Sequence, residues 1–473
     1  MTRIAAVVAA LLLALGAPSS SETAAVAQPV AWAPNVLLIQ ADDLGYGDLS
    51  AYGQARFQTP ALDRLAREGT RFTQYYSGST VCAPSRAALM TGRHTGHGWI
   101  RGNGGMPGGD VPLRPEDVTM AEVLRDAGYR TAVIGKWGLG QPGTTGQPDR
   151  QGFEYAFGFL DHRHAHRQFT DYVWRNGEQA RTDLDRDYVN DLFTREAAAF
   201  IERGDPRPFF LYLNYTVPHA ELRVPEDSLE PFRGKFPERP FANPTADRTP
   251  AGARPESPSL GYRSQPEPHA AFAAMITRMD RDIGRLVDLL GQRGIDRRTL
   301  VLFISDNGPH QEGGADPAFF KSAGGLRGIK RDLYEGGIRV PMIARWTGVI
   351  PQGRASSHVW AHWDVLPTVA AMAGARVPAG LDGMSMAGAL RGEAQPTHAF
   401  FYWEFHERGF QQAVRMDRWK AVRLKAGSPL EVYDLDTDPG EEHDVAAANP
   451  DVVSRIENYL KTARTDSERW PGK

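Results

Sequence analysis

Cys82 stands alone as a thiol, in the segment Val81-Cys82-Ala83-Pro84-Ser85-Arg86-Ala87-Ala88-Leu89-Met90-Thr91-Gly92-Arg93. As the chain's single cysteine it has no internal disulfide partner. Pro84 presets φ for a first helical turn, Ala87-Ala88-Leu89-Met90 are good helix formers, and Gly92 is a stop. The pattern predicts a helix that begins just after Cys82. The thiol then lies beside unpaired N–H groups that favour negative charge, and Arg86 reaches the same pocket one turn later. Elsewhere Asp42-Asp43 and Asp306-Asn307 offer three carboxylates and one amide, all hard oxygen donors. Adjacent aspartates repel each other unless a cation lies between them. Oxygen-only ligation favours Ca²⁺, with Mg²⁺ as runner-up, and no His/Cys ligand cluster points to zinc.

These residues need elements to bring them together. Asn35 to Gln40, Arg130 to Gly135, Pro208 to Leu213 and Thr299 to Ser305 are apolar runs of the kind expected in strands covered on both faces. They lead into Asp42-Asp43, Lys136, His219 and Asp306-Asn307 respectively. Helical stretches alternate with them, opening at Thr59-Pro60, at the capping-box pattern Thr119-x-x-Glu122, near Asp191 and near Ala270. Alternation of this kind predicts an α/β sheet whose ligands bind beyond the carboxyl ends of the strands, where all four polar clusters lie. Val217 to Pro268 is proline-rich and aperiodic, an excursion over the active face. From about Ala394, short apolar runs at Phe400–Phe405, Gln412–Arg415, Trp419–Leu424 and Glu431–Leu435 predict antiparallel strands, and a helix follows near Pro450 to Ala463.

Cys82-x-Pro-Ser-Arg followed by Thr91-Gly92-Arg93 resembles the signature of the type I sulfatases, whose cysteine is oxidised to formylglycine. The resemblance runs from about Asn35 to the C-terminal region. It implies an alkaline phosphatase-like fold, a large mixed and mostly parallel sheet sandwiched by helices with a small C-terminal α+β subdomain. It implies a calcium site of Asp42, Asp43, Asp306 and Asn307 with residue 82, and a formylglycine-generating enzyme as partner during maturation. Arg86, Lys136 and Lys330 match positions that hold the nucleophile or the sulfate oxygens. Lys330 lies in a second sulfatase-like stretch, Gly328 to Pro341. His219 matches the histidine near the leaving oxygen, where it or Lys330 is the general acid. The family commonly reads Gly-Lys-Trp-His, but Gly135-Lys136-Trp137 is followed here by Gly138. The histidine-rich segment Asp161-His162-Arg163-His164-Ala165-His166 suggests His164 or His166 as the replacement imidazole, with substrate contact as the other role. This pattern is similar to bacterial sulfatases grouped near arylsulfatase A and the N-acetylgalactosamine sulfatases. It implies a sulfated carbohydrate substrate of galactose or N-acetylgalactosamine type, with Trp360, Trp363, Trp403 and His406 as candidates for its pocket and core packing as the other role of the tryptophans.

Composition narrows the class. A formal charge of −3 and a pI near 6.5 give no footprint for nucleic acid. Ile4 to Leu15 is too short to span a bilayer, and Ala25-Val26-Ala27 fits a leader cleavage rule. The reading is a signal peptide over 1–27, a catalytic domain over 28–393 and a C-terminal subdomain over 394–473, in a periplasmic or secreted protein with no membrane partner. The alternatives are a phosphonate or phosphate ester hydrolase of the same superfamily, and a noncatalytic, calcium-bound glycan-binding protein with an unmodified Cys82.

Overall fold

A computed structural model describes residues 33–104, 111–248 and 261–472, so the expected leader at 1–27 lies outside the described residues. Each apolar run becomes a strand. The large sheet contains β1 (Asn35–Asp42), β2 (Thr70–Tyr76), β3 (Arg130–Lys136), β4 (Tyr155–Phe159), β5 (Tyr172–Arg175) and β6 (Glu178–Arg181). It is completed by β7 (Phe209–Pro218), β8 (Thr299–Ser305), β9 (Arg339–Arg345), β10 (Arg354–Ser356) and β11 (Trp360–Ala361). The order is β10-β2-β9-β8-β1-β7-β3-β4-β5-β6, with β11 beside β2. The central strands β8, β1, β7, β3 and β4 run parallel, and β9, β5 and β6 supply the antiparallel pairings.

Both faces of the central strands are covered, which is why β1, β3, β7 and β8 read as apolar runs. Along β1, Leu37 and Ile39 join a core with the helices Pro60–Arg67, Val189–Glu202 and Pro268–Gln292. Val36 and Leu38 face the opposite core, with the helices Cys82–Thr91, Met120–Asp126 and Val365–Ala373. Each such side chain, wholly buried, contributes about 1.5–3 kcal/mol, and the alternation locks the register because a one-residue slip would exchange the two cores. The capping box forms as its spacing predicts: Thr119 Oγ1 accepts from Glu122 N–H at 3.2 Å, and Glu122 accepts from Thr119 N–H at 2.9 Å.

The C-terminal strands β12 (Phe401–Phe405), β13 (Gln411–Met416), β14 (Trp419–Arg423) and β15 (Glu431–Asp434) form a separate antiparallel sheet. One face packs on the helix Pro450–Leu460 through Val452 and Ile456. The other packs on the larger unit, where Trp403 meets Tyr76 and Trp363. Trp360, Trp363 and Trp403 are all at most 1% exposed. They are core residues, a correction to their candidacy for a sugar pocket: strand alternation turns Trp360 and Trp403 inward, and the short turn His362–Asp364 packs Trp363 against Trp403. The proline-rich excursion carries three short helical turns among its described residues, Glu226–Leu229, Glu230–Phe232 and Pro244–Asp247.

Candidate active site

The parallel strands deliver their polar ends to one place. In register, Gln40 of β1 lies beside Asn214 of β7 and Ile304 of β8, so the residues that follow emerge together. Asp42 closes β1, and the chain then turns at Asp43, whose φ of 64° is a left-handed value that aspartate tolerates better than most residues. That turn lets the Asp43 N–H donate to Asp306 Oδ1 at 3.0 Å. The helix Cys82–Thr91 starts at Cys82 itself, one position earlier than the sequence pattern predicts, and stops at Gly92 with φ 68°. Ser85 Oγ ties this helix to the Asp306 carbonyl.

Nine of the predicted residues meet in a buried network. Cys82 Sγ lies 3.5 Å from Asp42 Oδ1, and Lys136 Nζ lies 2.7 Å from Asp42 Oδ2. Arg86 donates from Nε and Nη2 to Asp306 Oδ2 at 3.1 and 2.8 Å, and from Nη1 to the Lys136 carbonyl at 2.7 Å. Asn307, Lys330 and His219 join through Asp43. Asn307 Nδ2 donates to Asp43 Oδ1 at 2.7 Å, and Lys330 Nζ to Asp43 Oδ2 at 2.8 Å. Lys330 Nζ also donates to His219 Nε2 at 2.9 Å, while His219 Nδ1 donates to the Ala220 carbonyl at 2.6 Å. These two bonds fix the tautomer of a neutral His219, consistent with a pKa pushed down to about 4 by burial and the Lys330 ammonium.

Charge crowding sets the remaining states. Burial works against an ionised Asp42, but the Lys136, Arg86 and Lys330 cations outweigh it and hold its carboxyl well below the usual range. Asp306 goes the other way, to about 7, because burial and the facing Asp42 and Asp43 carboxylates exceed the pull of Arg86. The Cys82 thiol is pushed well up by burial, with Asp42 and Asp306 adding to it against Lys136. An unmodified Cys82 is therefore a protonated thiol and a poor nucleophile. Asn307 Oδ1 is buried and accepts no hydrogen bond. Three carboxylates and this unpaired carbonyl oxygen converge as hard donors, which fits a divalent cation of the calcium type.

A cavity of about 450 Å³ opens on the network, in the size range of small-molecule sites. Among its lining residues are Cys82, His219, Lys330, His166 and His162. Arg86 and Lys136 lie behind it, both fully buried. His166 stacks on His219 with ring centroids 4.3 Å apart. His164 turns away: its ring packs on Phe159 and Tyr172 and its Nε2 lies 2.8 Å from Thr170 Oγ1. It does not line the cavity, which corrects its proposed role there. His406 is also set apart, held by Glu404 at 3.0 Å and packed on Phe410 and Trp470. Gly138 has φ 72°, and a Cβ built there would lie 3.7 Å from His162 Cβ. The imidazole that occupies the neighbourhood of position 138 thus belongs to His162.

The family model described as Sulfatase matches residues 34–375, spanning every element of this network. The chain belongs to the sulfatase family. A second model, N-sulphoglucosamine sulphohydrolase, C-terminal, matches residues 329–466. Human arylsulfatase A is 32% identical over 529 residues, covering 96% of this chain and 92% of the relative. An arylsulfatase of Hemicentrotus pulcherrimus is 30% identical, covering 87% and 74%. Among solved structures, Ps i-CgsB in complex with k-i-k-neocarrahexaose superposes with a TM-score of 0.77 at 27% identity, covering 93% of this chain and 95% of that one. The sulfatase is a sulfuric ester hydrolase.

Several residues on or beside the sulfatase's cavity went unmarked in the sequence. Glu312 lies 3.3 Å from Lys330 Nζ, accepts from Tyr262 at 3.0 Å and pairs with Arg331 at 2.6 Å. Asn103 accepts from the Ala83 N–H at 2.8 Å beside Cys82. His310, two residues before Glu312, donates from Nε2 to the Pro218 carbonyl at 2.9 Å, with its ring over His219. For His310 and Glu312 the available signal was proximity in sequence to Asp306-Asn307 and Lys330; Asn103 carried none.

Proposed function

We propose that the sulfatase is an exported, calcium-dependent hydrolase of sulfate monoesters on a sulfated sugar, of galactose or N-acetylgalactosamine type, and that its nucleophile is formylglycine made from Cys82. The observation that carries this reading is Cys82 Sγ at 3.5 Å from Asp42, among Asp43, Asp306 and Asn307 and three buried cations. Asp42, Asp43, Asp306, Asn307 and residue 82 would hold the ion. The cation supplies Lewis-acid polarisation and charge balance for the carboxylates. Formylglycine supplies an oxygen nucleophile where the thiol is a poor one.

The chain's own groups do the rest. Lys330 carries a proton at Nζ and His219 Nε2 receives its hydrogen bond, so the pair presents a proton to a departing oxygen at the cavity floor. Lys136 and Lys330 are buried cations fixed beside the cavity floor, where a developing negative charge is stabilised more strongly than in water. Arg86 spends its donors on Asp306 and the Lys136 carbonyl, so it positions the acid and the lysine strand. His162 and His166 supply imidazoles to the wall, and His162 takes the place of the side chain absent at Gly138. The leader read in residues 1–27 supports export to the periplasm or medium.

Mass spectrometry of the Cys82 peptide tests the reading most directly. Conversion to formylglycine lowers its mass by about 18 Da, and metal analysis of the same sample is expected to find calcium. An unmodified thiol in fully active protein overturns the nucleophile. Faster turnover of an aryl phosphodiester than of an aryl sulfate overturns the choice of ester. N-terminal sequencing of the mature protein is expected to begin at Gln28.

A further inference from the structure

The cavity wall opposite Lys330 holds more positive charge than its acids match. On the Lys330 side the charges are paired: Lys330 faces Asp43 and Glu312, and Arg331 faces Glu312 and Glu407 at 2.6 and 3.1 Å. On the other side Arg163 lines the cavity and makes no ion pair among the described residues. Arg167, four positions on, also lines it and is only 2% exposed. Its Nη1 meets Glu221 Oε2 at 2.8 Å, but its Nε and Nη2 are buried and have no hydrogen-bond partner. Glu221 is itself shared, with Arg223 Nη1 3.6 Å away. Arg263 lies near the same group: its guanidinium is pushed down by burial, with Arg167 and Arg223 adding to that against Glu221 and Asp247. Glu221 is thus shared by the guanidiniums of Arg167 and Arg223, and Arg163 stands beside them.

Two unsatisfied donors on a buried arginine cost free energy, since natural interiors leave few such groups unpaired. A planar guanidinium fork suits sulfate and carboxylate oxygens in particular. We propose that the wall carrying Arg163 and Arg167 is a second anion subsite, which holds a further sulfate or a carboxylate of the sugar while the ester to be cleaved sits against Lys330 and His219. The substrate class is then a polyanionic oligosaccharide, and an aryl sulfate or singly charged sugar leaves this wall unfilled. The proposal deepens the sulfated-sugar reading and rests on it.

Binding to the full-length Cys82→Ala protein, followed by calorimetry, tests it without turnover. The probes are a monosulfated disaccharide, a disulfated one of the same skeleton, and a monosulfated one carrying a uronic acid. At least one doubly charged probe is expected to bind about tenfold tighter than the singly charged one, with a steeper salt dependence. Which of them does so separates sulfate from carboxylate as the second group. Arg163→Gln is expected to cut that advantage to about threefold or less. Arg167→Lys keeps a charge for Glu221 but loses the fork, and is expected to act in the same direction. Equal affinities for the three probes, or an advantage untouched by both substitutions, overturns the subsite. Turnover of 4-nitrophenyl sulfate by the matured wild type separates the two readings. Its presence with no second-anion advantage sinks the subsite alone, and its absence sinks the sulfatase mechanism and the subsite together.

Discussion

Two of the sulfatase's buried charge clusters differ in what surrounds them. At the strand ends lie Asp42, Asp43, Asp306, Lys136, Lys330 and Arg86. Beneath the C-terminal sheet lie Glu335, Lys420 and Glu441, all fully buried as well. In the second cluster every carboxylate oxygen has a donor. Lys420 Nζ lies 3.1 Å from Glu335 Oε1 and 3.3 Å from Glu441 Oε1. Tyr76 donates to Glu335 Oε2 at 2.6 Å, and the Glu335 N–H to Glu441 Oε2 at 2.6 Å. That cluster joins the Lys330 segment to β14 and does not line the active-site cavity. The first has an orphan acceptor on Asn307, a thiol held protonated and an opening to solvent. Buried charge alone therefore does not mark a catalytic site. Unpaired polar atoms beside a cavity do.

Substitutions sharpen this contrast, and the largest effect belongs to the nucleophile position. Cys82→Ala is expected to lower kcat about 10⁴-fold or more while urea unfolding shifts little, because the side chain is small and its loss leaves a small void. Lys136→Met, 2.7 Å from Asp42, is expected to cost about 10²–10³-fold in kcat/KM, as for other fixed charges facing a developing anion. Retained activity in either variant would break the assignment of the first cluster. Lys420→Met removes an equally buried lysine and is expected to do something different. Two carboxylates lose their shared cation, so stability falls by about 3 kcal/mol in urea titration, while kcat/KM of the folded protein stays within about threefold. A comparable loss of activity at constant stability would show that the second cluster also governs catalysis.

The sequence reveals the strand ends and Cys82 because polar residues terminating apolar runs are visible without any knowledge of pairing. Asp42, Lys136, His219 and Asp306 all carry that signal, and the capping box at Thr119 carries its own. Orientation within a turn is not visible in this way. His162, His164 and His166 are alike in sequence, yet the short 3-10 turn His164–His166 sends His164 into the core and leaves the others on the cavity. Trp403 misleads for a related reason, since β12 alternates and only the pairing with β13 shows which side is covered. Glu312, Tyr262 and Arg167 come from aperiodic loops, and the Glu335–Lys420–Glu441 cluster joins residues up to 106 positions apart. Such convergence depends on tertiary packing that periodicity does not encode.

The smallest expected effect concerns pH and the second cluster alone. Glu441 is pushed from its ordinary 4.5 up to about 7, by burial first and by the facing Glu335, against the pull of Lys420. Below pH 4.5 folded and unfolded chains both hold this proton. Between 4.5 and about 7 the unfolded chain loses it and the folded one keeps it, so stability falls as pH rises through that window. Glu441→Gln removes the titration. Whatever its stability at low pH, the variant should gain on the wild type by on the order of 1 kcal/mol between pH 5 and pH 8, measured as the difference in urea midpoints. A flat difference would mean that Lys420 holds Glu441 ionised throughout. The second cluster would then be balanced by its single lysine more strongly than its two carboxylates suggest, and the contrast with the crowded acids of the active site would be wider still.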